Sequence, residues 1–220
     1  MPLVAVRDAA ERLGVSARQV QYLVAQGELT ALARGAIDSE SIDRLVAVRG
    51  QRHSRAWSPE TAWGGVAILS GLDAPWMGGT QRSRLKARLR SMGAADLVER
   101  TRDRAEVVQY AGHSSVAERL KQRIIDTGAS RSRLGLADIT AVDGYVDANE
   151  LEDLARSFGL ARDTSGRVTL RATAFPIDTI TRIADAGTVL AALDLAGSLE
   201  VRERTAGLDT LTYALEKLRD

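Results

Sequence analysis

The sequence contains no cysteine. Disulfide bonds, thiolate catalysis and zinc or iron–sulfur centres held by cysteine are therefore excluded, and a reducing, cytoplasmic setting is expected. Histidine is nearly absent as well: His53 and His113 are the only two, too few for a histidine-rich metal cage. Lysine is scarce, since Lys86, Lys121 and Lys217 are the only lysines among 30 basic residues. That preference looks like the codon bias of a GC-rich genome, so arginine richness alone carries no functional meaning. No long apolar run is present either. The longest, around residues 62–69 and 187–193, fall well short of the ~18 residues of a membrane span. The apolar start of the chain soon meets Arg7 and Asp8, so neither a targeting segment nor a membrane partner is expected.

What is present is ordinary for a folded protein: 220 residues, 45% hydrophobic and 27% charged, enough for one large or two small domains. The net charge of +1 hides an uneven distribution. Residues 1–48 hold 5 basic and 6 acidic side chains, residues 49–104 hold 11 and 5, and residues 111–220 hold 14 and 17. The positive charge is concentrated in the middle of the chain.

Ala9, Ala10, Leu13 and Val15, then Val20, Leu23 and Val24, fit two short helices that each bury one face. Gly14 separates them, Ser16 stands where an N-cap is needed, and Gly27 after Gln26 suits a left-handed C-terminal cap. Leu29–Leu32 and Ala36–Ile37 flank Arg34-Gly35, a hairpin tip, and Asp38 or Ser39 can cap a third helix carrying Ile42, Leu45 and Val46.

The run DAAERLGVSARQVQYLVAQGELTALARG followed by IDSESIDRLV resembles the winged helix-turn-helix of the MerR and excisionase families, with a GVS turn, a recognition helix and a G-E-L exit before a small wing. The resemblance covers the first fifth of the chain. It implies that the second helix enters a DNA major groove behind its cap Ser16 with Ala17, Arg18, Gln19, Gln21 and Tyr22. Gln suits adenine, Arg suits guanine or phosphate, and Tyr suits a phosphate oxygen, while Arg34 at the wing tip reaches the flanking backbone or the minor groove. The alternative is a protein-interaction module with a solvated helix face. Because residues 1–48 carry a balance of −1, phosphate neutralisation within them is small. Tight binding then needs a second copy or help from the next segment.

That segment begins with Arg49, Arg52 and Arg55 in the basic linker 49–57. Ser58-Pro59 is a strong helix start for a mostly buried helix through Trp63 and Leu69 that ends at Gly71. From Thr80 a further helix buries Leu85, Leu89 and Met92 and sets Arg82, Lys86 and Arg90 on one stripe, with Arg84 and Arg88 beside them. Five cations without an acid repel one another, and either nucleic acid, an acidic protein or plain solvent faces them.

Beyond Arg104, helix and strand alternate. A strand is expected over Ala105–Tyr110, a helix after Ser114-Ser115, a hairpin turn at Asp143-Gly144, a helix capped by Asn149 and ended by Gly159, and a strand over Val168–Ala172 ended by Pro176. Helices over Thr188–Ala196 and about Val201–Leu218 close the chain, the last with Leu208, Leu211, Leu215 and Leu218 on one face. The expected class is mostly α, α+β overall: a winged helix-turn-helix (1–48), the linker (49–57), a basic helical segment (58–104) and an α+β dimerisation or partner-binding domain (105–220). The segments SPETAWGGVAILSG, RAEVVQYAGH, TGAS, VTLRAT and GTVLAALDLAGSLEVRERTAGLDTL, taken with the N-terminal reader, resemble actinobacterial relatives of the AbiEi antitoxins of type IV toxin–antitoxin pairs. That resemblance implies autorepression through DNA and a nucleotidyltransferase-fold toxin as partner, while a homodimer on the operator is expected from the low charge of the N-terminal unit.

Enzyme readings find little support. His113 in GHSS reads as a helix start, Asp178, Asp194 and Glu200 lack the lysine of a metal-dependent nuclease, and Gly64-Gly65 and Gly78-Gly79 lack a phosphate-loop context. Asp194, alone in an apolar helix, is expected to pair with Arg202 or Arg204. No catalytic residue, cofactor or metal is expected. Two functions remain: a DNA-binding antitoxin and autorepressor, and a MerR-like or excisionase-like regulator or recombination factor without a toxin.

Overall fold

The structure, a computed structural model, describes residues 3–33, 35–49, 55–135, 142–198 and 200–219. The first unit opens with strand β1 (Leu3–Ala5), helix α1 (Val6–Leu13) and helix α2 (Ala17–Ala25), followed by strands β2 (Ala31–Ala33) and β3 (Ala36–Asp38) and helix α3 (Ser39–Arg49). β3 lies between β1 and β2 in an antiparallel sheet. Pairing of the apolar N-terminal residues with β3 is not marked by any local signal and was not expected from the sequence. Gly14, at φ 64°, ends α1, and the Val15 N–H returns to the Ala10 carbonyl, the hydrogen bond that closes a helix through a left-handed residue. Ser16 then caps α2 by accepting the Gln19 N–H at 3.2 Å. Ala9, Ala10, Val20, Leu23, Leu29, Ile37, Ile42 and Leu45 form a core separate from the rest.

Helix α4 (Pro59–Leu69) is capped by Ser58, and α5 (Gly79–Ser91) and α6 (Ala94–Thr101) follow, with a 3₁₀ turn over Arg102–Arg104. Then come β4 (Glu106–Ala111), α7 (Ala117–Lys121), β5 (Ile125–Asp126), α8 (Gly128–Arg133), β6 (Val142–Asp147), α9 (Leu151–Ser157), β7 (Ala161–Arg162), β8 (Val168–Thr173), α10 (Ile177–Asp185), α11 (Val189–Ala196) and α12 (Val201–Arg219). The architecture is mostly helical α+β. The second sheet runs β5-β6-β8-β4-β7, with β6 and β8 parallel and the other neighbours antiparallel. On one face Val108, Tyr110, Val142, Val146, Val168, Leu170 and Ala172 pack on Leu120 of α7 and on Leu151, Leu154 and Ala155 of α9. From the other face Tyr145 enters a larger core with Trp57, Trp63, Leu85, Leu89, Leu97, Ile180, Leu190, Leu193, Leu211 and Leu215.

Several expectations are corrected by this packing. Asp143-Gly144 lies inside β6 and is not a turn: β6 is buried on both faces and parallel to β8, and such strands lack the alternation that betrays a half-exposed strand. Asn149 does not cap α9; its backbone and side-chain N–H groups donate to Asp147 Oδ1 in a turn before it. Pro176 does more than end a strand, because it opens α10, whose Ile180 and Ile183 are buried. The leucine stripe of α12 is core, with Leu211 and Leu215 buried and Leu208 and Leu218 packed beside them, and offers no dimer surface. Residues 58–104 share one hydrophobic core with α10, α11 and α12, so position 104 does not mark the edge of a core. Among the described residues no helix is long and apolar enough to cross a membrane.

Candidate nucleic-acid interface and a buried charge network

Helix α2 buries Val20 and Leu23 and leaves Ser16, Ala17, Arg18, Gln19, Gln21 and Tyr22 exposed. The split follows from 3.6 residues per turn: positions 20 and 23 sit over the core, and 18, 19, 21 and 22 cannot. The Ser16 hydroxyl is engaged as the cap, which limits it to a positioning role. Tyr22, 55% exposed, puts its ring and hydroxyl in solvent. Arg12 joins α1 to α3 through the Ser39 hydroxyl at 3.3 Å. In the β2–β3 hairpin all of β2 is exposed, Leu32 included. Arg34, expected at the wing tip, and Arg52, expected in the linker, lie outside the described residues, as does the side chain of Arg49; Arg55 is exposed.

The stripe on α5 divides. Arg82 pairs with Asp73 at 3.3 Å and donates to the Ala74 carbonyl. Arg90 donates to the Leu218 carbonyl at 3.0 Å, while Arg219 donates to the Arg90 and Met92 carbonyls at 2.8 and 2.9 Å. Each arginine thus closes the last turn of the other's helix, where free carbonyls and the helix dipole favour a cation. Lys86 is exposed and without a partner among the described residues.

The arrangement that sequence reasoning missed is buried between the 3₁₀ turn over Arg102–Arg104, β6, β8 and α11. All eight residues of α11 are buried, and Asp194 is its single charged one. Its Oδ1 accepts from the Tyr145 hydroxyl at 2.6 Å, forms an ion pair with Arg104, and lies 3.4 Å from Arg171 Nε. Arg171 in turn holds Asp143 with two bonds of 2.8 and 3.0 Å, a forked geometry that fits a guanidinium to a carboxylate. Arg104 also donates to the Tyr145 hydroxyl and the Thr101 carbonyl, both at 3.1 Å. Burial pushes the Tyr145 hydroxyl far above the ordinary tyrosine range, so it stays protonated and acts as donor. Burial works against the charge on Arg171, yet the Asp143 and Asp194 carboxylates outweigh it and hold its pKa above the usual value. Two cations balance two anions, and the set reads as a structural tie. The expected partners of Asp194, Arg202 and Arg204, are replaced by Arg104 and Arg171. Arg202 donates to the Gly135 carbonyl and Arg204 to the Ser198 carbonyl. One sequence signal existed, an acid in an apolar helix, but it names no partner.

No group of three or more His, Asp or Glu side chains suited to a metal occurs among the described residues, and Asp178, Asp194 and Glu200 do not converge. His113 accepts the Ser115 N–H at 3.2 Å and caps a 3₁₀ turn over Ser114–Val116. No protein-family model, curated protein or solved structure matches this chain.

Proposed function

We propose that the chain binds operator DNA in a sequence-specific manner through α2, with the β2–β3 hairpin as the flanking contact. The observation that carries the reading is the division of α2: an apolar side locked into its own small core by Val20 and Leu23, and an outer side of Arg18, Gln19, Gln21 and Tyr22 that the fold leaves open. A helix held in this way behind the three-residue turn Gly14–Ser16 presents polar side chains as a rigid edge, which major-groove reading requires. Gln19 and Gln21 are the base readers in this account, Arg18 and Tyr22 the phosphate or guanine contacts. On the resemblance to the AbiEi antitoxins, the operator is that of the chain's own operon and a co-encoded nucleotidyltransferase-fold toxin is the partner. The function is then antitoxin and autorepressor, with no catalytic role.

The −1 balance of residues 1–48 supports a homodimer on DNA, since one copy neutralises few phosphates. With the α12 leucines in the core, such a dimer uses another surface. The test of the reading is a binding titration on operator and scrambled duplexes. Replacing Gln19 or Gln21 with Ala should cost ~1–3 kcal/mol on the operator and little on the scrambled sequence. Equal loss on both, or none on either, removes the base-reading role. An adjacent toxin reading frame whose lethality the full chain suppresses supports the antitoxin assignment; its absence favours a regulator without a toxin.

A further inference from the structure

Helix α5 carries five cations and no acid, and the fold accounts for only two of them. Arg82 is neutralised by Asp73, and Arg90 is tied to the end of α12. The side chains of Arg84, Lys86 and Arg88 are exposed and have no hydrogen-bond or ion-pair partner among the described residues. Nearby cations are differently placed: Arg100 pairs with Asp96 and Arg102 with Glu99.

The positions around the helix matter as much as the charge. Leu85 and Leu89 face the core, so at 3.6 residues per turn the opposite crest consists of Thr80, Ser83, Ala87 and Ser91, all exposed. Arg84 and Arg88 flank one side of this crest and Lys86 the other. Nothing on the crest is larger than threonine, so a polyanion can approach the helix closely and meet cations from both sides. Arg84 and Arg88 are about 6 Å apart along the axis, and their mutual repulsion is relieved only by an anion that spans both. A protein interface of comparable quality centres on aromatic, Met or other apolar anchors, and this face has none.

We infer that α5 is a second, sequence-independent contact to duplex DNA, in which Arg84, Lys86 and Arg88 neutralise backbone phosphates beside a crest of small side chains. The stripe expected from sequence, Arg82, Lys86 and Arg90, is thereby replaced in all but Lys86. The inference rests on the DNA-binding reading for its ligand but not on base recognition by α2.

The experiment uses the full chain and a fluorescently labelled duplex of scrambled sequence, with affinity measured across a salt series. Each phosphate contact contributes about 0.9 to the log–log slope. The triple variant Arg84→Gln, Lys86→Gln, Arg88→Gln should flatten the slope by about 2.7, so that the affinity lost between 50 and 200 mM salt shrinks about 40-fold. Arg82→Gln should leave the slope unchanged, and tryptophan emission should report an intact core in both. An unchanged slope in the triple variant overturns the inference. So does equal flattening per residue by Arg82→Gln, which would show that charge anywhere on α5 suffices. A triple variant that keeps its DNA slope but loses binding to polyglutamate assigns the face to an acidic protein and overturns it as well. Gln19→Ala and Gln21→Ala, run in parallel, register in the operator-to-scrambled ratio and not in the slope, which separates failure of base reading from failure of this contact.

Discussion

Replacing Asp194 with Asn keeps the volume of the side chain and removes its charge, and the surroundings decide where the cost falls. Arg171 loses a neighbour at 3.4 Å but keeps its forked pair with Asp143. Arg104 loses its carboxylate and is left with neutral acceptors alone, the Thr101 carbonyl, the Tyr145 hydroxyl and the new amide oxygen. A guanidinium buried to 8% exposure is left uncompensated, a change that costs about 3–5 kcal/mol. Coulomb's law at an effective dielectric of about 20 gives ~4 kcal/mol for charges about 4 Å apart, in agreement. Set against a typical total of about 5–15 kcal/mol, this is a large part of the stability. It should lower the melting temperature by about 6–20 °C for a domain of this size. The assay is urea unfolding followed by tryptophan emission. Trp57, Trp63 and Trp76 all belong to the larger core, and the chain has only three tryptophans, so the signal is blind to the N-terminal unit. A second change, Arg104→Met in the Asp194→Asn background, removes the stranded charge and should return much of the loss. A loss below about 1 kcal/mol, or no recovery in the double variant, would refute the claim that Asp194 holds Arg104 in the interior.

Two further outcomes follow from the same region. Burial raises the Tyr145 pKa, so the unfolded chain ionises first and the contribution of Tyr145 is complete below about pH 10 and lost as pH rises beyond it; the fall in urea midpoint between pH 8 and alkaline pH should be smaller in Tyr145→Phe, and an identical fall would show that another group carries it. Gly207 of α12 faces α11 so closely that an added Cβ would stand 2.5 Å from the Ala192 carbonyl oxygen and from the Ala196 nitrogen. Gly207→Ala should therefore lose about 1–3 kcal/mol to overpacking despite the ~1 kcal/mol of helix propensity that alanine brings, and a rise in melting temperature would contradict the close approach.

The sequence by itself determined the features whose physics is local. Gly14 in the left-handed region, Ser16 and Ser58 as caps, the turn at Gly35 and the helix end at Gly159 are all where residue type demands them, because a cap or a positive φ concerns only a few consecutive residues. The buried and open sides of α2 and the buried leucines of α5 were legible for the same reason, since helical periodicity is written in the spacing. Tertiary structure alone decided the rest. The parallel pairing of β6 with β8 turned Asp143-Gly144 from an expected turn into a buried strand. Arg104 and Asp194, 90 residues apart, meet because the sheet and α11 bring them together. Spacing set Arg82 and Arg90 on one stripe and Arg84 and Arg88 beside it, but only the positions of Asp73 and of the end of α12 separated the neutralised cations from the open ones. Spacing fixes which side of a helix a residue lies on; what stands opposite it is fixed by long-range packing.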